Sequence, residues 1–133
     1  MIHKDYLLEI IARFVESVTV ALRRAVLQGS EESAQEVENS VAALLDLDPQ
    51  TAMNLSPNSL VTMMLLSGMG DALASHVAYA LDRVGDAYDN MDMPDLASLR
   101  WDQAQAVAES FGCDLNNVPT DFAELEQELA AAE

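Results

Sequence analysis

Two histidines, one cysteine and a surplus of carboxylates are the groups in this chain best suited to chemistry, and their spacing argues against most of it. His3 and His76 stand far apart, and neither belongs to a His-x-x-x-His pair, the spacing that sets two imidazoles on one helix face for a metal. Ser75 precedes His76, but adjacent residues of a helix point apart, so they do not form a nucleophile and its base. Cys113 follows Gly112 and precedes Asp114. Nearby acids raise a thiol pKa and oppose the thiolate, which leaves the cysteine a structural role. Asp86, Asp89, Asp92 and Asp95 do not have the glycine at the sixth place and the glutamate at the twelfth that a calcium loop needs. Gly68-Met69-Gly70 has no preceding strand, lysine or further glycines of a phosphate loop, and reads as a helix break. Met63, Met64 and Met69 suit core filling, with an adaptable binding surface as the alternative. The expectation is therefore no enzyme, with no catalytic, metal or cofactor site.

Charge narrows the partners. The formal net charge is −17, and it is uneven. Residues 1–27 hold Lys4, Arg13, Arg23 and Arg24 against Asp5, Glu9 and Glu16, whereas residues 28–133 hold only Arg83 and Arg100 against 20 acids. Such a body repels phosphate, so direct nucleic-acid binding is not expected, and it attracts basic partners. Solubility, or a salt-rich habitat, accounts for the same charge.

A chain of 133 residues is expected to form a single helical domain over 1–133. Half the residues are hydrophobic but only 5% are aromatic, a composition of small aliphatic side chains that suits closely packed helices. Alternating runs of β-branched and aromatic residues, the mark of strands, are missing. One cysteine excludes an internal disulfide and points to a reducing compartment. The opening MIHKDYLLEIIARF is too charged for a signal peptide, and the apolar run Leu60 to Leu66 is too short to span a bilayer. A soluble cytoplasmic protein with no membrane partner is expected.

Periodicity then places the elements. Leu7, Ile10, Ile11, Phe14, Val18, Leu22 and Ala25 recur at the helical period, predicting a helix from about Lys4 to Leu27 that Gly29 ends. Leu8, Val15 and Val26 widen its apolar stripe to a second face, as in a helix that is central or shared with another subunit, so a homodimer through this helix is one expected partner arrangement. Ser30 caps a second helix through Leu45, and Asp48-Pro49 opens a short helical turn. Ser56-Pro57 opens a helix to Ser67, apolar almost all round and expected to be buried. Gly68 and Gly70 break it, and Asp71 caps the next, which runs to about Tyr88. Pro94 opens another to Phe111, stopped by Gly112, and Thr120 caps a last acidic helix from Asp121 to Ala131, with the AAAE tail frayed. The fold class is all-α: about six or seven helices with short connections, stacked as antiparallel hairpins.

Within 78–111, Leu81, Val84, Gly85 and Tyr88, then Ala97, Trp101 and Ala104, follow one another in a register that resembles a tetratricopeptide repeat, a helix–turn–helix of about 34 residues. Asp92 stands near the usual turn glycine, and no proline follows Ala108. Upstream, GSEESAQEVENSVAALLDLDP resembles the second helix of such a repeat. The opening DYLLEIIARFVE resembles a family of small, uncharacterised bacterial helical proteins through Asp5, Tyr6 and Ile10. The repeat resemblance implies small residues where two helices cross, at Gly85 and Ala97. It also implies a groove lined by Tyr79, Asp82, Asp86, Asp89 and Asn90, which would bind a partner peptide or helix, a basic one given three acids on one helix face. A solvated acidic face explains those acids equally. The function expected is a noncatalytic protein–protein interaction module; the alternative is an acidic nucleic-acid mimic that regulates a DNA- or RNA-binding protein.

Overall fold

Helical periodicity becomes seven α-helices and one 3-10 turn within residues 4–68 and 70–132, those the computed structural model describes. His3, Met69 and the terminal Glu133 lie outside the described residues. The helices are α1 (Lys4–Gln28), α2 (Glu31–Leu44), α3 (Pro49–Met53), α4 (Pro57–Ser67), α5 (Gly70–Asn90), α6 (Pro94–Ser110) and, after a 3-10 turn at Thr120–Phe122, α7 (Ala123–Ala131). No strand occurs among the described residues, and no helix among them is long and apolar enough to cross a membrane.

Short side chains start three of the helices. Oxygens of Ser30, Asp48 and Ser56 accept hydrogen bonds from the backbone N–H groups of Ser33 (3.1 Å), Thr51 (3.2 Å) and Ser59 (3.2 Å). Each such cap is worth about 1 kcal/mol. Pro49 and Pro57 follow two of the caps, where a missing N–H costs nothing. Gly68 ends α4 in the left-handed conformation, with φ at 74°.

Helices α1 and α2 form one hairpin and α5 and α6 another, with α3 packed on α2 and α4 on α6. The centre belongs to α5, which touches α1, α2, α4 and α6 and buries Leu73, Val77, Leu81, Val84 and Tyr88. Helix α1 buries Phe14, Val18, Leu22 and Ala25 on one face only; Val15 and Val26 are half-buried and Leu8 is exposed.

Three local expectations change. Asp71 lies inside the first turn of α5, which starts at Gly70. A Cβ at Gly70 would stand 2.5 Å from the Phe111 ring, so this glycine admits the end of α6. Thr120 opens the 3-10 turn and does not cap an α-helix; the turn delivers Phe122 fully into the core before α7 begins. Helix α4 is covered on one side, burying Leu60, Val61 and Met64, while Leu65 and Leu66 remain 63% and 75% exposed.

The crossing of α5 and α6 is set by Gly85, where the Trp101 indole lies against the bare backbone. Its Nε1–H donates to Asp86 Oδ1 at 3.0 Å, which fixes the ring. A Cβ at Gly85 would come within 2.5 Å of that nitrogen, and nearer still to Cδ1. Alanine normally favours a helix over glycine by about 1 kcal/mol. Here overpacking prevails, and Gly85→Ala is expected to destabilise the protein by about 1–3 kcal/mol in urea unfolding. A variant more stable than the parent would show that the indole yields freely.

Candidate functional site

Two charges occupy positions at which the helical period demands apolar residues. On α6 the inward register is Ala97, Arg100, Ala104 and Val107; on α2 it is Ala34, Val37, Glu38 and Val41. Arg100 is 3% exposed and Glu38 is 6% exposed. Arg100 Nε donates to Glu38 Oε2 at 2.6 Å, and Nη1 donates to the Met53 carbonyl at 2.8 Å and Gln103 Oε1 at 3.0 Å. Gln103 Nε2 donates to the carbonyls of Met53 (3.2 Å) and Leu55 (2.9 Å), and the Tyr88 hydroxyl donates to Glu38 Oε1 at 2.9 Å. The carbonyls around the end of α3 need such donors, because a helix end leaves its last C=O groups without intrahelical partners. Burial, then the Glu38 charge and hydrogen bond, raises the Tyr88 pKa, so the phenol remains a donor at neutral pH. One network thus joins α2, α3, α5 and α6.

Over this network opens a cleft of about 380 Å³. Its walls are Glu31, Gln35, Glu38 and Asn39 of α2, Pro49, Gln50, Met53 and Asn54 of α3 and its end, Tyr88 of α5, and Leu96 and Arg100 of α6. Gln35, Asn39, Gln50 and Asn54 are exposed and present four carboxamides, each able to donate and accept. The hydrogen bonds of Arg100 use Nε and Nη1, none of them Nη2. Among the described residues, His76 Nδ1 is the one solvent-excluded side-chain nitrogen or oxygen without a partner. Arg100 thus lines the floor of a polar cleft while its guanidinium stays almost wholly buried. The arrangement suits recognition of carbonyl and amide groups.

The face of α5 that the repeat resemblance designates as a groove is occupied in part by the chain itself. Tyr79 is buried, stacked on Phe122 with ring centroids 4.8 Å apart, and donates to Glu126 Oε1 at 2.9 Å. Asp86 takes Arg83 Nη1 at 2.9 Å on one oxygen and the Trp101 indole on the other. Arg83 also pairs with Glu126 through Nε and Nη2. The cation that offsets this acidic face thus comes from α5 itself. Asp82 is half-buried, with its pKa raised by burial and then by Asp86; Asp89 and Asn90 are exposed. The five residues do not share one open surface.

His76 Nε2 lies 2.9 Å from Asp121 Oδ2. Cys113 is half-buried, and burial followed by the Asp71 charge pushes its thiol pKa up, against thiolate chemistry. No group of three or more His, Cys, Asp or Glu among the described residues is placed to hold a metal. Sequence reading missed Glu38, Arg100 and Gln103. The signal was polar residues at inward positions of the helical period, where each must find a partner. Comparison with protein-family models, curated proteins and solved structures yields no match to this chain.

Two sets of variants test these contacts. Arg100→Met leaves Glu38 buried without its partner and is expected to cost about 3–5 kcal/mol in urea unfolding. Glu38→Met with Arg100→Met is expected to cost less than Arg100→Met alone; a larger loss for the double variant would contradict the pairing. The second set reads pH. Burial tends to raise the Glu126 pKa, but hydrogen bonds from Arg83 and Tyr79 outweigh it and the net shift is downward. A lowered carboxylate stabilises the fold above its unfolded pKa of about 4.3, and that stability is lost as pH falls through the folded pKa. Glu126→Gln is therefore expected to destabilise at pH 7, with the difference fading in acid. Asp82 has the opposite sign: its raised pKa costs stability above the folded pKa, so Asp82→Asn is expected to stabilise at pH 7, a gain that also fades in acid. Equal signs for the two variants at pH 7 would overturn the assignment.

Proposed function

We propose that this chain is a noncatalytic interaction module that takes a short segment of a partner polypeptide in the cleft between α2, α3 and α6. The observation that carries this reading is the cleft itself, a preformed hollow whose floor is a buried and almost fully bonded polar network. Its volume of about 380 Å³ is in the range of ligand sites. Four carboxamides match the donors and acceptors of a peptide backbone. Leu96, Pro49 and Met53 offer apolar contact, and Glu31 on the wall favours a basic side chain. A net charge of −17 speeds the approach of a basic partner and discourages acidic ones. The network holds the walls in place before binding, which limits the ordering cost. The resemblance to a tetratricopeptide repeat supports the same class of function, though not this surface. The setting we assign is the cytoplasm, on the one cysteine, half-buried and unpaired.

Selection of random peptides on the immobilised protein, followed by NMR titration, tests the proposal. Enriched peptides are expected to carry Lys or Arg and to shift the amide signals of residues 31–39, 50–54 and 96–100. Shifts confined to Asp89, Asn90 and their neighbours would move the site to the α5 face. A nucleic-acid mimic would differ in a third way, binding a DNA- or RNA-binding protein through scattered acidic faces with affinity falling steeply with salt.

A further inference from the structure

Helix α1 turns an unusual face to solvent. Tyr6, Leu8, Val20 and Leu27 account for four of the seven large hydrophobic residues exposed among the described residues. Single exposed apolar residues are ordinary. Here Tyr6, Val20 and Leu27 share a stripe with Arg13, each a multiple of seven positions from the others, so they stay on one side of the helix along its length. The rest of the chain packs on the other side of α1, where Phe14, Val18, Leu22 and Ala25 are buried.

We infer that this stripe is a self-association face, on which a second copy of the chain lays its own α1 antiparallel, with Glu9 of each copy level with Arg24 of the other. The register follows from the residues. A two-fold contact must be self-complementary, so that residue i meets j and j meets i. Turned end for end about the Glu16–Ser17 bond, the stripe brings Tyr6 level with Leu27, Glu9 with Arg24, and Arg13 with Val20, apolar against apolar and acid against base. The Arg13 stem can cover valine while its head stays in water.

Charge argues for a second copy in particular. Residues 1–27 have four basic side chains against three acids, and the rest of the chain has two against 20. Two such molecules repel one another except where α1 meets α1. Arg24 is exposed and in no ion pair among the described residues, whereas Arg13, Arg23, Arg83 and Arg100 are each paired within the chain. One helix pair is a small interface, so the dimer is weak and concentration-dependent. It leaves the cleft between α2, α3 and α6 open, and it stands or falls independently of peptide binding there.

Sedimentation velocity on the full chain, from micromolar to millimolar concentration, reads this directly. The wild type is expected to shift reversibly from monomer to dimer. Arg24→Glu and Glu9→Arg alone are each expected to weaken the dimer about tenfold, since two exposed pairs turn from attraction to repulsion. An equimolar mixture of the two variants is expected to recover it, because both positions then face opposite charges. Circular dichroism checks that each variant keeps its helices. A wild type that stays monomeric throughout overturns the inference without any substitution. So does a dimer indifferent to both substitutions, or a mixture no stronger than its components.

Discussion

A charge cannot be buried without a partner, and that constraint organises this protein. Arg100 and Glu38 sit on helix faces that the hydrophobic period turns inward, and each is almost fully removed from water. Isolated, either would cost several kcal/mol. They are tolerable only together, with Tyr88, Gln103 and the carbonyls of Met53 and Leu55 taking up most of their other polar groups and one another's. The requirement is geometric as well as energetic. It sets α2 beside α6, brings the end of α3 against both, and aligns α5 so that a phenol reaches the same carboxylate. Apolar packing alone would permit many ways of stacking two alanine-rich hairpins. The network selects one, and the cleft is the space left above it.

Elements were more legible in the sequence than pairings. Ser30, Asp48-Pro49 and Ser56-Pro57 marked helix starts because caps and first-turn prolines act locally. Gly85 and Trp101 marked the α5–α6 crossing, because a bare backbone and a large ring together imply close approach. Burial was harder to read where it depended on how many neighbours a helix has. Helix α4 is apolar nearly all round, yet only one side is covered, since nothing local says that Leu65 and Leu66 will find no layer above them. The C-terminal turn was also beyond local reasoning: Phe122 needs the distant Tyr79 ring to stack on.

The acidic face of α5 illustrates the same limit in the candidate site. Three aspartates on one side of a helix look like an invitation to a cationic partner. The structure supplies a cation from within, since Arg83 joins Asp86 and Glu126, and Trp101 takes the remaining Asp86 oxygen. The proposed site is a less conspicuous set of carboxamides spread over α2 and α3, with Arg100 beneath them. Their spacing carries no motif because they converge only after the hairpins stack. Such a surface offers orientation and hydrogen bonding, the two properties on which the proposed binding role rests.

If the buried network is what makes one body of the two hairpins, their slowest backbone amides must open together. Native-state hydrogen exchange across a denaturant series measures this residue by residue. Protected amides in α2, α5 and α6 are expected to converge on a single opening free energy equal to that of global unfolding. Exchange in which α1 and α2 open well below the free energy for α5 and α6 would show that Glu38 and Arg100 do not couple the hairpins, and would contradict the central role given to the pair.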